Sequence, residues 1–250
     1  CIRSNYIWML HDNKNFTVKY RRSRLKSFLY QLFLKYARTI ITVNPIIKQK
    51  LVALNISYGD KIHVLENIVS IREETQESRD YKFDFLYISS YVQHKNHKLL
   101  INSLPSNTSL VCLGSDLGFK GEVMKMVSTR TDVEIRILEG VSNQDLISYL
   151  KSARVCVFPS SFEGFGIPIL EYALFNKPII TSPLAEFGLF SEIIDDYFHM
   201  SDYSINQAKL SELLSKERSM EFKNVWVKNY RSKVERDIID FFQRIQAKAL

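Results

Sequence analysis

Apolar positions along this chain follow two alternating patterns. Runs rich in β-branched and aliphatic residues at 6–10, 37–44, 61–65, 82–89, 109–114, 154–158 and 179–182, and an alternating one at 133–138, have the length and make-up of strands, several of them buried on both faces. Between them lie segments with helical spacing, at 45–54, 96–104, 120–128, 142–152 and 168–176, and a last helical stretch covers 225–249. End signals agree with these periods. Asn96 is placed to cap the second segment, and Ser142 with Asp145 three residues on forms a capping pattern for the fourth. Pro168 suits a first helical position, and Asn176 tolerates a left-handed C-cap just before Pro178. Repeated alternation of strand and helix predicts an α/β chain with a doubly wound parallel sheet. No Gly-x-Gly-x-x-Gly fingerprint supports this reading, which rests on the alternation itself.

Candidate chemistry concentrates in residues 158–171, Phe-Pro-Ser-Ser-Phe-Glu-Gly-Phe-Gly-Ile-Pro-Ile-Leu-Glu, where a buried strand passes into a helix. Ligands of open α/β sheets bind at such carboxyl ends of strands. Gly164 and Gly166 have no side chains, so their N–H groups can approach an anion closely, beside the positive end of a helix dipole. Glu171 lies about one turn into that helix and leans back toward its start. There it would repel phosphate but accept hydrogen bonds from ribose hydroxyls, each worth roughly 1.5–3 kcal/mol. Glu163, on the turn, would face whatever hangs from the far phosphate. A nucleotide-sugar supplies ribose, diphosphate and sugar together. For an isolated pair of glutamates, the ordinary reading is a helix cap and a solvated charge.

Glu163-Gly-Phe-Gly-Ile-Pro-Ile-Leu-Glu171, followed by Lys177-Pro-Ile-Ile-Thr-Ser182, resembles the Glu-x7-Glu signature of glycosyltransferase family 4. The resemblance implies a GT-B fold, two Rossmann-like domains, of which this chain would carry a doubly wound nucleotide-sugar-binding domain and the end of an incomplete N-terminal one. It implies a retaining transferase that moves a sugar from a nucleotide-diphosphate donor to a glycan or lipid-linked acceptor without metal or other cofactor, as relatives do in surface polysaccharide assembly. Lys95-Asn96 resembles the family's Lys-Asn pair, so Lys95 is expected on the donor diphosphate. Gly164, Phe165, Gly166 and Ile167 would line the donor site, Glu171 would hold the ribose, and Glu163 would orient the sugar. Many relatives have an arginine five residues before that lysine, where this chain has Ser90, so one phosphate-neutralising charge is missing or comes from elsewhere. The turn Glu139-Gly140-Val141 matches a family loop near the base, which makes Gly140 a donor-site candidate or an ordinary turn glycine. Glu192 matches a further acidic position of the family or is a solvated charge.

The first 70 residues resemble the last part of the family's N-terminal domain. Its strand–His-Asp segment matches His11-Asp12, making His11 a candidate catalytic residue with Glu163 and Lys95. Expected domains are therefore 1–74, the end of an acceptor-side domain whose earlier strands this chain lacks; 75–228, the donor domain; and 229–250, a helix crossing back. The polar run at 72–80 is the expected boundary.

Composition narrows the partners. Residues 1–74 carry 13 lysines and arginines against 5 acidic residues, whereas 75–250 are close to neutral, so the net charge of +7 is an N-terminal property. Much of it lies between Lys19 and Tyr36, where basic residues flank Phe28, Leu29, Leu32 and Phe33. That stretch could hold an anionic membrane surface at about 1 kcal/mol per charge, or pack its apolar side into its own domain. No motif beyond charge supports nucleic-acid binding. Cys1, Cys112 and Cys156 have no metal or redox spacing, and a reducing cytoplasm suits them. His94 and His97 share the spacing of a metal pair but have no third ligand at hand. No run approaches the roughly 18 apolar residues of a membrane span, so the expected location is the cytoplasm, at the inner membrane face where the basic stretch engages it. Two other readings stay open: a truncated or non-catalytic nucleotide-sugar-binding module, and a basic membrane-surface protein. Another GT-B reaction, such as sugar-nucleotide epimerisation, fits the Glu-x7-Glu context less well.

Overall fold

The computed structural model describes residues 7–10, 32, 34–54, 56–70, 82–199, 205–215 and 221–247. They fall into two compact units: one of Cys1–Ile68, Glu163–Gly166 and Arg231–Leu250, the other of Val69–Phe162 and Ile167–Tyr230.

In the first unit, β1 (Ile7–Leu10), β2 (Thr39–Thr42) and β3 (Ile62–Val64) form a parallel sheet in that order. Helix α1 (Pro45–Leu54) opens with proline, which has no N–H to leave unpaired, and Asn44 Oδ1 accepts the Ile46 N–H at 2.9 Å. Ile47 and Leu51, four residues apart, are its buried stripe. Ile41, Leu65 and Phe241 make a further cluster, joined by Ile238 and Ile245.

The second unit is a six-stranded, wholly parallel sheet. Its strands are β4 (Phe83–Ile88), β5 (Ser109–Leu113), β6 (Glu134–Leu138), β7 (Ala153–Phe158), β8 (Ile179–Thr181) and β9 (Asp196–Tyr197), in the order β6-β5-β4-β7-β8-β9. The central strands β4, β5 and β7 read as near-continuous apolar runs because most of their residues, on both faces, are buried. Cys112 and Cys156 lie fully buried within them as small hydrophobes, and burial pushes the Cys156 thiol up to about 12. The edge strand β6, by contrast, alternates charged and apolar residues. Four helices connect the strands: α2 (His97–Ser103), α3 (Lys120–Val127), α4 (Asn143–Ser152) and α5 (Ile167–Leu174). Two more follow, α6 (Gln207–Ser215) and α7 (Glu221–Ala247).

The capping chemistry divides. Ser142 Oγ accepts the Asp145 N–H at 3.1 Å and donates to its carboxylate at 2.7 Å, so α4 starts as its sequence indicates. Asn176 takes the left-handed conformation at the end of α5. Asn96 differs from its expected role. Its backbone is left-handed, with φ 55°, and its side chain caps nothing; the amide is committed elsewhere, as described below. Pro168 sits second in α5 rather than first, still within the turn whose N–H groups have no helical partner. The C-terminal stretch is one helix of 27 residues.

Candidate active site

Strand order reverses between β4 and β7: β5 and β6 continue on one side, β8 and β9 on the other. In a doubly wound sheet the carboxyl ends at such a reversal leave a crevice for ligands. The loop after β4 and the loop after β7 are tied to each other there. Asn96 Nδ2 donates to the Pro159 carbonyl at 2.8 Å. The Ser161 N–H and hydroxyl both donate to the His94 carbonyl, at 2.8 and 3.2 Å. Asn96 thus gives up a helix cap for a bond across the reversal, and its left-handed backbone, readily adopted by asparagine, turns the chain into α2.

Lys95 ends the 3₁₀ turn Gln93–Lys95. Its carbonyl accepts the Tyr87 hydroxyl at 2.6 Å, and its ammonium lies 5.2 Å from the Phe158 ring centroid. The loop therefore holds a cation at the mouth of the reversal with its backbone fixed. Ser90, in the same loop, brings no compensating charge. Beneath it, Gly114 passes so close to Ser89 that a Cβ would lie 1.9 Å from the Ser89 carbonyl oxygen, so only glycine fits.

Residues 159–166 join β7 to α5. Within this turn Glu163 is only 8% exposed and Phe165 is buried, while Gly164 is partly open. Gly166 has φ 103°, a conformation closed to residues with a Cβ, and Ile167 is exposed at the first position of α5. Glu171 lies on the second turn of that helix. Burial pushes its carboxyl up to about 7, so the group keeps its proton well above the usual carboxylate range.

The remaining candidates sit as follows. Gly140 follows β6 with φ 64°, and a Cβ there would meet nothing within 4 Å, so conformation rather than space calls for glycine. Beside it Glu139 pairs with Lys120 at 2.6 Å, linking the start of α3 to the loop after β6. Glu192 accepts a hydrogen bond from Trp226 Nε1 at 3.1 Å, in an aromatic cluster with Phe190 and Tyr230. His94 is half-buried with its ring edge-on to Phe162. His97 is 1% exposed, between the Tyr87 and Tyr91 rings, with no partner for either nitrogen. Burial, reinforced by Lys95, lowers it to about 3, and it is a neutral core imidazole. No group of three or more His, Cys, Asp or Glu side chains able to hold a metal occurs among the described residues. His11 lies outside them, as does most of the basic stretch, of which Leu32 and 34–36 are described. No helix among the described residues is long and apolar enough to cross a membrane.

Sequence reasoning missed two residues that shape this region. Gly114 stands alone after a strand, where nothing local announces a close approach. Tyr172 follows Glu171 inside an apolar helix and looks like core, yet its hydroxyl bonds both β4 and β7.

Comparison with known proteins gives this arrangement a family. Residues 70–233 match the sequence model of the glycosyl transferases group 1. The O-antigen chain mannosyltransferase RfbU of Salmonella typhimurium is 28% identical over 165 residues, 64% of this chain and 46% of the relative. Among solved structures, sucrose-phosphate synthase from Thermosynechococcus elongatus superposes with a TM-score of 0.69 at 13% identity, over 97% of this chain and 68% of that one. WaaG, a glycosyltransferase involved in lipopolysaccharide biosynthesis, superposes with a TM-score of 0.61 at 15% identity, over 92% and 70%. The chain spans less than half the length of the curated relatives it matches. With a match over well over half its length and the parallel-sheet architecture of GT-B glycosyltransferases, this chain belongs to the group 1 glycosyltransferases.

Proposed function

We propose that this chain supplies the donor-binding half of a retaining glycosyltransferase that uses a nucleotide-diphosphate sugar. The observation that carries the reading is the reversal between β4 and β7, where a lysine, a glycine turn and a glutamate with a raised carboxyl follow the carboxyl ends of adjoining strands. Glu171 holds the ribose hydroxyls. Lys95 and the N–H groups from Gly164 to Ile167 stabilise charge on the diphosphate as it departs, an electrostatic role that needs no metal. Glu163 orients the sugar hydroxyls and is not the nucleophile; the acceptor attacks on the face that the diphosphate leaves. Gly140 sits by the base. His11 faces the donor sugar in this reading.

O-antigen and lipopolysaccharide assembly named for the relatives suggest surface polysaccharide as the product class, a glycan or lipid-linked acceptor, and action at the cytoplasmic side of a membrane. The roles separate kinetically. Glu163→Ala should leave nucleotide affinity close to wild type and lower kcat by about a hundredfold or more, as loss of a group acting in the transition state does. Steady-state kinetics with the donor and acceptor pair checks this; equal losses in nucleotide affinity and turnover would contradict it. A nucleotide-sugar-binding module without transferase activity is the alternative, and it would bind nucleotide yet turn nothing over.

A further inference from the structure

Pairing of β4 with β7 is registered at Phe83↔Ala153, Phe85↔Val155 and Leu86↔Cys156, and goes no further. Beyond it the two strands must part so that their loops can serve a ligand. Parting strands leave buried peptide groups without ladder partners, which is costly unless another group meets them. Tyr172 meets them. Its hydroxyl accepts the Ile88 N–H at 2.9 Å and donates to the Val157 carbonyl at 3.4 Å, and the side chain is fully buried. One phenol thus stands in the gap where the ladder opens, bonded to both strands.

The phenol comes from α5, the helix that carries Glu171. Two bonds to two strands fix the rotation of α5 about its own axis. Successive helical residues project about 100° apart, so a Tyr172 held inward sets where Glu171 points. The far end of the helix is fixed too, because the Tyr172 carbonyl accepts the Phe175 and Lys177 N–H groups, closing a turn through left-handed Asn176. We propose that Tyr172 is a positioning residue for Glu171: its hydroxyl aims the carboxylate at the ribose. This inference rests on the reading of Glu171 given above.

The test compares wild type, Tyr172→Phe and Glu171→Ala in calorimetric titrations with UDP and GDP and with the 2′,3′-dideoxy forms of both. Wild type should prefer whichever ribonucleotide binds over its dideoxy form, by about tenfold or more. Tyr172→Phe keeps the packed ring and loses one oxygen. It should lose most of that preference while binding the dideoxy form as wild type does. A merely structural role would lower the melting temperature and leave the preference intact, and that result would overturn the proposal, as would equal loss of both affinities. If the phenylalanine variant melts too low to titrate, the same titrations run at a lower temperature where it is folded, and the same collapse is expected there. A wild type that binds nucleotide with no preference, or with a preference that survives in Glu171→Ala, would overturn the ribose role itself. Binding of none of UDP, GDP, dTDP and ADP would overturn both.

Discussion

Burial of Glu171 bears directly on the ribose role proposed for it. Its carboxyl is raised from 4.5 to about 7 by burial, so the folded protein holds a proton that the unfolded chain has already released across that window. Stability falls with rising pH wherever the native state binds the extra proton. The ligand-free protein should therefore lose stability between about pH 4.5 and 7 through this group, and Glu171→Gln should flatten that part of the curve, as denaturant melts at stepped pH would show. Nucleotide binding should run the other way, strengthening as the carboxylate ionises to accept the ribose hydroxyls. Gly166 sits at the other end of the same motif, and its φ of 103° makes Gly166→Ala strained whatever room surrounds it. That substitution should cost about 1–3 kcal/mol in a denaturant melt.

Among the elements, α5 is the one on which the site depends, and α7 is fastened beside its end. Lys223, near the start of α7, is 1% exposed; its ammonium pairs with Asp195 and donates to the Lys177 carbonyl at 3.0 Å. The Asn224 N–H is accepted by Asn176 Oδ1 at 2.9 Å, directly at the C-cap of α5. Lys223→Met would leave Asp195 buried without its cation and should destabilise the protein by about 3–5 kcal/mol, measured by chemical denaturation. Strands and helices of this kind were largely legible in the sequence, because buried parallel strands are continuous apolar runs and helices carry their own spacing. Helix 45–54 has the limits its pattern predicts, and the Ser142 cap forms as written. Asn96 was not legible in this way. Its type and place fit a cap, but a partner 63 residues away at Pro159 claims the side chain. The same limit hid Tyr172 and Gly114, whose roles come from strands and loops distant in sequence. A local pattern gives the element; only the fold says which neighbour a polar group will meet.

At the scale of the whole molecule, the chain divides into two units, and α7 contributes residues to both. It matches less than half the length of its curated relatives. The excess positive charge lies in residues 1–74, and residues 75–250 are close to neutral. Donor binding should consequently rest on the local groups at the β4–β7 reversal rather than on the overall field, and should weaken only modestly as salt rises. The central claim is that a nucleoside diphosphate binds there through Glu171. Thermal unfolding of wild type and Glu171→Ala with UDP, GDP, dTDP and ADP tests it most directly. A nucleotide at a hundred times its dissociation constant should stabilise wild type by about 2.7 kcal/mol. One of the four should do so, and Glu171→Ala should lose most of the gain. Equal stabilisation of both proteins, or of neither, would contradict the account.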